Sequence, residues 1–183
     1  MKSAISILTA VLALTMPLAF VNAEAEEVAS SPEQVVRKFY KLLSDGTLLS
    51  EEQFINAGVT DIVGANWDDE PTSLCLEDSG EKLLGVPCFI KTFATFHSLI
   101  PDMNWHPEEI VRLRGPGIRY LVRATGSGTP QLDKFDFLGL GDAWNPGASF
   151  SVMSIDIHTL KHGKIVKSYH VEDWLEARHQ LSQ

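Results

Sequence analysis

Two strand-like runs near the C-terminal end of the chain, residues 150–160 and 164–173, constrain the fold more than any other feature of the sequence. Both runs are rich in β-branched and aromatic residues, and the His162-Gly163 pair between them predicts a hairpin turn. A hairpin forces the two runs to pair side by side. The geometry of the turn therefore decides which side chains share a face of the sheet.

Two turns are compatible with this hairpin, and they predict different neighbours. A two-residue type I′ loop at His162-Gly163 places Asp156 opposite Tyr169, which puts Asp156 and His170 on opposite faces. A type I turn that ends with Gly163 in a left-handed bulge shifts the register by one residue. Asp156 and His170 then share a face as direct or diagonal neighbours, close enough to meet or to hold one small substrate between them.

Further polar side chains fall on the same face by strand parity. In the bulged register this face carries Ser154, Asp156 and His158 from the first run and Ser168, His170 and Glu172 from the second. We predict that Ser154, His158 and Ser168 contribute to ligand binding, with His158 at the pocket mouth or hydrogen-bonded to a neighbour. Two histidines and a carboxylate can bind a metal, but no metal-site spacing is needed to explain them. No metal and no other cofactor is predicted.

The remaining periodic segments predict the fold class. Helical patterns precede most of the strand-like runs, and this order is typical of an α+β domain in which helices pack on the concave face of a curved antiparallel sheet and enclose a pocket. The predicted helices begin near Pro32, Ser50, Leu84 and Trp174, and further strand-like runs cover 103–114 and 118–129.

The segment 57–82 has no clean period and many acidic residues, so we predict an irregular flap there. Trp67 lies inside this segment, and we predict that it acts as a lid over the pocket. Phe54 is predicted to line an apolar cavity with Trp67. Phe93 and Phe96 either line the same cavity or pack in the core, as aromatic residues at helical spacing usually do.

The N-terminal residues 1–23 have a basic start, an apolar run and small residues at the end, which is typical of a signal peptide. Residues 24–31 are predicted to be a flexible lead-in and 32–183 a single domain, which is secreted or periplasmic. In an exported protein Cys75 and Cys88 are expected to form a disulfide. The net charge of −9 argues against nucleic acid and anionic membranes as partners.

Three stretches of the sequence resemble the SnoaL-like polyketide cyclase family, which has the NTF2-like cone fold. They read FHSLIPDMNWHPEEIVRLRGPGIRYLVRATGSGTP, FDFLGLGDAWNPGASFSVMSIDIHTLKHGKIV and EDWLEARHQL, and the likeness covers roughly residues 32–183. The resemblance implies a cofactor-free intramolecular aldol closure, driven by an aspartate on the last strand with a histidine on the neighbouring strand. Here the two types are exchanged, because Asp156 stands at the histidine position and His170 at the aspartate position.

From these residues we expect a cofactor-independent lyase or isomerase that acts on a small hydrophobic carbonyl compound. His170 is the predicted general base, since the pKa of an unperturbed imidazole lies near neutrality. Asp156 is predicted either to hold its tautomer and stabilise the imidazolium, or to handle a proton itself if a dry pocket raises its pKa. The alternative is a non-catalytic protein that binds small hydrophobic ligands. Exposed sheet faces of this fold class often pair, so a homodimer is also predicted.

Overall fold

The structure is a computed structural model that describes residues 30–70, 75, 76 and 79–183. The predicted signal peptide, residues 1–23, and the lead-in as far as residue 29 lie outside the described residues. Within the described ranges, no helix is both long enough and apolar enough to cross a membrane.

The first two helices begin where the sequence predicts. Ser31 and Ser50 each accept a hydrogen bond from the backbone three residues later, and a glutamine at that third position bonds back to the cap. These capping boxes satisfy backbone donors that a helix start leaves free. The helices are α1 (Pro32–Leu43), α2 (Glu51–Asn56), α3 (Val59–Ile62), α4 (Gly85–Leu99) and α5 (Trp174–Leu181).

The strands form one curved five-stranded sheet, which confirms the predicted α+β architecture with helices packed against it. Its order is β1-β5-β4-β3-β2. The neighbours from β5 to β2 pair antiparallel, as predicted, whereas β1 pairs parallel with β5. The strands are β1 (Val63–Glu70), β2 (Asn104–Arg112), β3 (Ile118–Gly128), β4 (Phe150–Lys161) and β5 (Lys164–Glu172).

Helix α3 and strand β1 lie inside the segment that the sequence predicted as an irregular flap, so that prediction was wrong for residues 59–70. Val63 pairs with Ile165, but the next paired residue, Asp68, already faces Lys167. The residues between them leave the ladder, and this bulge removes the alternation by which a strand is recognised. Trp67 is therefore not a lid, because it lies on β1 and is fully buried.

The β4–β5 hairpin combines features of both predicted turns. Lys161 pairs with Lys164, and His162 and Gly163 have φ of 50° and 75°, as in a type I′ loop. The register nevertheless shifts further along, because Leu160 pairs with Ile165 and Thr159 with Lys167.

Val166 is thus an extra residue in β5, and it brings His170 directly opposite Asp156. The predicted shared face of Asp156 and His170 is confirmed, but the bulge lies at Val166 instead of Gly163.

Helices α1 and α4 cover one end of the sheet with an aromatic core. The ring of Phe39 contacts Trp67 and Phe89 at centroid distances of 6.3 and 5.3 Å. Phe54 is also fully buried and stacks on His97, with 11° between the ring planes. The predicted disulfide joins Cys75 to Cys88 on α4, with Cα atoms 5.0 Å apart. The disulfide attaches the chain at Cys75, after β1, to helix α4, which packs on the sheet.

Candidate active site

A cavity of about 560 Å³ lies between helices α1 and α4 and the inner face of the sheet. This volume is in the range of pockets that hold small organic ligands. One side, which we call the polar wall, consists of Tyr40, Asp69, Asp156, His158, Ser168, His170 and Glu172. The other side is mostly aromatic, so the cavity combines an apolar body with a localised set of titratable groups.

Asp156 lies at the centre of the polar wall and is 9% exposed. Its Oδ2 accepts hydrogen bonds from Tyr40 Oη at 2.7 Å and from Ser154 Oγ at 3.0 Å. Burial raises the pKa of this carboxyl above its usual value, and the two hydroxyl bonds and the charge of His170 only partly offset that effect. Asp156 is thus a stronger base than an exposed aspartate.

A chain of buried hydrogen bonds runs from Trp67 to Asp156. Trp67 Nε1 donates to Ser168 Oγ at 3.0 Å, Ser168 Oγ lies 2.9 Å from His158 Nδ1, and His158 Nε2 lies 3.2 Å from Tyr40 Oη. An indole can only donate and a carboxylate can only accept, so both ends impose one direction. Ser168 donates to Nδ1, and His158 carries its proton on Nε2 and donates to Tyr40.

The charge state of His158 agrees with this direction. Burial, together with the charge of His170, lowers the pKa of His158 to about 3, so the ring is neutral. His158 is 1% exposed and contacts Phe39, with ring centroids 4.9 Å apart. Of the two predicted positions for His158, the structure shows the hydrogen-bonded one and not the pocket mouth.

His170 has the opposite environment. Its Nδ1 lies 3.0 Å from Asp69 Oδ1, and its Nε2 lies 3.6 Å from Glu172 Oε2. Burial alone would lower the pKa of His170, but the hydrogen bond and charge of Asp69 and the charges of Glu172 and Asp156 outweigh it and raise the pKa to about 9. The imidazole is therefore protonated at neutral pH, and Nε2–H is the donor that it can offer to a ligand.

The structure brings most of the predicted site residues together. His158, Ser168, His170 and Asp156 line the cavity, and Ser154 lies behind Asp156 as a hydrogen-bond donor. Of the predicted aromatic residues, Phe93 and Phe96 line the cavity, and Trp105 lines it as well. Phe54 and Trp67 do not, because they pack in the core beneath it. Trp67 contributes through its bond to Ser168.

Sequence reasoning missed two residues of the polar wall, Tyr40 and Asp69. Tyr40 follows Val36 by four positions and so lies on the buried stripe of α1, but the stripe was assigned without it. Asp69 follows Trp67 by two positions, which puts both on the same face of β1. The first spacing would have found Tyr40 from α1 alone, and the second would have found Asp69 once β1 was recognised. In the part of the chain that the structure describes, no cluster of three or more His, Cys, Asp or Glu side chains is arranged to hold a metal ion.

No protein-family model matches this sequence, and neither does any curated protein. Solved structures do share its fold. IdmH from Streptomyces antibioticus, a proposed polyketide cyclase, is 16% identical with a TM-score of 0.61 over 84% of this chain and 100% of its own. A SnoaL-like polyketide cyclase from Agrobacterium tumefaciens is 14% identical with a TM-score of 0.58 over 83% of this chain and 98% of its own.

An NTF2-like protein of unknown function from Exiguobacterium is 16% identical, with a TM-score of 0.52 over 76% of this chain and 98% of its own. The domain therefore has the NTF2-like cone fold, in the form seen in SnoaL-like proteins. Sequence identities of this size establish only the fold. The chemistry is therefore inferred from the residues of the polar wall.

Proposed function

We propose that the cavity binds a small hydrophobic carbonyl compound and catalyses a cofactor-independent proton transfer next to the carbonyl, as in a lyase or isomerase of the aldol-cyclase type. The observation that carries the proposal is the pairing of a buried carboxylate with a protonated imidazole in one cavity. Asp156 and His170 are direct partners across β4 and β5. Acid and base groups with displaced pKa values are typical of such chemistry.

In this proposal His170 takes a role different from its predicted one, and Asp156 takes the second of its two predicted roles. Because the pKa of His170 is raised to about 9, the ring is a proton donor and not the predicted general base. Because burial raises the pKa of Asp156, its carboxylate is the better base. Its Oδ1 is the oxygen that neither Tyr40 nor Ser154 occupies.

In the proposed reaction Asp156 removes a proton from the carbon beside the carbonyl. The electrons of the C–H bond form the C=C bond of an enolate, the electrons of the C=O π bond move to the oxygen, and His170 Nε2–H donates a hydrogen bond to that oxygen as negative charge develops there. In an aldol closure the nucleophilic carbon attacks a second carbonyl carbon of the same molecule, and the proton on Asp156 passes to the new alkoxide. In an isomerisation that proton returns to a different carbon. Asp69 keeps His170 charged and oriented through Nδ1.

The fold comparisons support this proposal because a structure named as a SnoaL-like polyketide cyclase shares the cone. The second candidate function is a non-catalytic binder of small hydrophobic ligands. It is favoured by the hydrogen-bond chain from Trp67 to Asp156, in which every member has a partner, as in a static buried network.

Solvent deuterium exchange tests the proposal without knowledge of the natural substrate. Two ketones, 1-indanone and propiophenone, are incubated with the protein in deuterated buffer, and loss of the proton signal beside the carbonyl is followed by NMR. We expect exchange above background and a loss of at least about 100-fold in Asp156→Asn, because the base contributes a factor of that order. Asp61→Asn, an exposed aspartate on α3, is the matched control.

Wild-type exchange in a folded Asp156→Asn variant would contradict the assignment of the base. His170→Ala separates the two candidate functions. An enzyme should lose exchange while it keeps most of its ketone affinity, whereas for a binder neither ketone exchanges with any variant and affinity is again largely kept.

We also propose that residues 1–23 direct export and that the domain forms a homodimer. The outer face of the sheet exposes Met153, Tyr169 and Val171, which supports pairing through that face. Light scattering on the purified domain measures the mass, and fractionation of cells that express the full chain measures export.

A further inference from the structure

Part of the cavity is lined by a set of aromatic rings, which we call the aromatic end: Phe96, Trp105, Phe137 and Trp174. The rings of Phe96 and Trp174 are parallel within 1°, with centroids 6.4 Å apart. Phe137 stands at 90° to both of them, 6.0 and 5.5 Å away. Trp105 stands at 83° to Trp174. Ring faces therefore bound this end from more than one direction.

A carboxylate lies at the edge of the aromatic end. Glu172 Oε2 accepts a hydrogen bond from Trp174 Nε1 at 3.0 Å, which fixes the acid beside the indole ring. Asp69 and Asp156 line the same cavity. Aromatic faces carry negative partial charge, and rings set at angles around a carboxylate are the arrangement that attracts alkylammonium groups.

Cationic side chains are correspondingly scarce around the cavity. Among its described lining residues there is no lysine or arginine, and the one charged imidazole, His170, lies between Asp69 at Nδ1 and Glu172, 3.6 Å from Nε2. The arginines of β3 lie on the other face of the sheet, since Arg123 pairs with Ile155 while its neighbour Val122 pairs with the inward Asp156. A carboxylate or phosphate ligand would therefore be repelled by Asp69, Asp156 and Glu172. Only the positive charge of His170 would offset that repulsion.

We propose that the ligand of this cavity carries a positively charged amine or quaternary ammonium group, which binds at the aromatic end beside Glu172. That the same ligand presents a carbonyl to Asp156 rests on the proposed function, but its positive charge does not. The cavity is then selective by charge as well as by shape, and it rejects anions of the same size.

Three probes of nearly equal shape test the proposal by calorimetry on the intact chain at about pH 8, a pH chosen because burial raises the pKa of the Glu172 carboxyl. They are 3-hydroxyphenyltrimethylammonium, its neutral isostere 3-tert-butylphenol, and the anion 3-hydroxybenzenesulfonate. We expect the cation to bind at least about tenfold more tightly than the isostere, because several ring faces and a carboxylate act on it together. The sulfonate should not bind measurably.

Glu172→Gln is the decisive variant, because glutamine keeps an oxygen for Trp174 Nε1 but removes the charge. It should weaken the cation several-fold and leave the isostere unchanged, whereas Glu109→Gln, on exposed β2, should change neither. The proposal is overturned if the isostere binds as tightly as the cation, if the cation does not bind, or if Glu172→Gln keeps the full preference. These outcomes involve no turnover, so they are distinguishable from a failure of ketone exchange.

Discussion

His158 and His170 lie on neighbouring strands, face the same cavity and nevertheless differ in charge. The neighbours of His158 are hydroxyl groups, those of Ser168 and Tyr40, and its pKa falls to about 3. The neighbours of His170 are carboxylates, and its pKa rises to about 9. Burial lowers the pKa of both rings. The comparison teaches that burial, the largest influence on both rings, keeps a histidine neutral unless carboxylate partners together outweigh it, as they do at His170.

The largest change in the contrast between the two histidines is expected for Asp69→Asn. A folded-state pKa above the unfolded value of about 6.5 gives stability that is fully present below pH 6.5 and is lost as the pH rises through about 9. For His170 this stability amounts to roughly 3 kcal/mol. Asp69→Asn should remove most of it, so that the free energy of unfolding at neutral pH falls and loses much of this pH dependence.

Denaturant unfolding at a series of pH values between 6 and 10 measures this difference. Glu70→Gln is the matched control, because Glu70 is the next residue on β1 and pairs with Lys167 instead of His170. If Asp69→Asn unfolds with the same pH dependence as wild type, Asp69 does not hold the charge of His170.

A smaller effect is expected for Tyr40→Phe, which tests the other histidine. The phenol is the acceptor for His158 Nε2–H and a donor to Asp156, so its removal leaves two buried groups with one partner fewer. We expect a loss of about 1–3 kcal/mol in the free energy of unfolding. The pKa of Asp156 should rise, because one of the bonds that lowers it is gone.

The acid limb of the pH profile for ketone exchange reports that rise, and it should move to higher pH in Tyr40→Phe. Tyr169→Phe, on the exposed outer face of the sheet, is the control. An unchanged acid limb together with unchanged stability would show that the hydroxyl chain has no influence on Asp156.

The smallest expected effect is that His158 does not titrate between pH 4 and pH 10. In NMR spectra recorded from pH 4 to pH 10, the ring signals of His158 should stay constant, since its pKa lies near 3. Those of His170 should shift with a midpoint near pH 9. A midpoint for His158 near that of a free imidazole would refute the direction of the hydrogen-bond chain.

The parts of the site that could be predicted are those set by short-range pattern. The two capping boxes and the β4–β5 hairpin follow from local residue types, and the shared face of Asp156 and His170 was one of two outcomes open at the turn. The partners of these two residues depend on α1 and β1, which approach only in the folded chain. Asp69 lies 101 positions from His170, and Tyr40 lies 116 positions from Asp156.

The error at β1 has a definite physical origin. Its bulge leaves only Val63 and the residues from Asp68 onward paired with β5, and the acidic run Asp68-Asp69-Glu70 is typical of a solvated loop. Lys167 compensates part of that charge by pairing with Glu70, while Asp69 turns inward to His170. A single sequence does not reveal such compensation, because it gives no pairing of distant residues.

The extra residue at Val166 divides β5 into two stretches of opposite phase. At its foot Ile165 faces the interior, and beyond the bulge Ser168, His170 and Glu172 do. If Val166 entered the ladder instead of bulging, Lys167, Tyr169 and Val171 would turn into the cavity, and His170 would turn away from Asp156. Which residues of β5 line the chamber thus depends on one unpaired residue that does not itself line it.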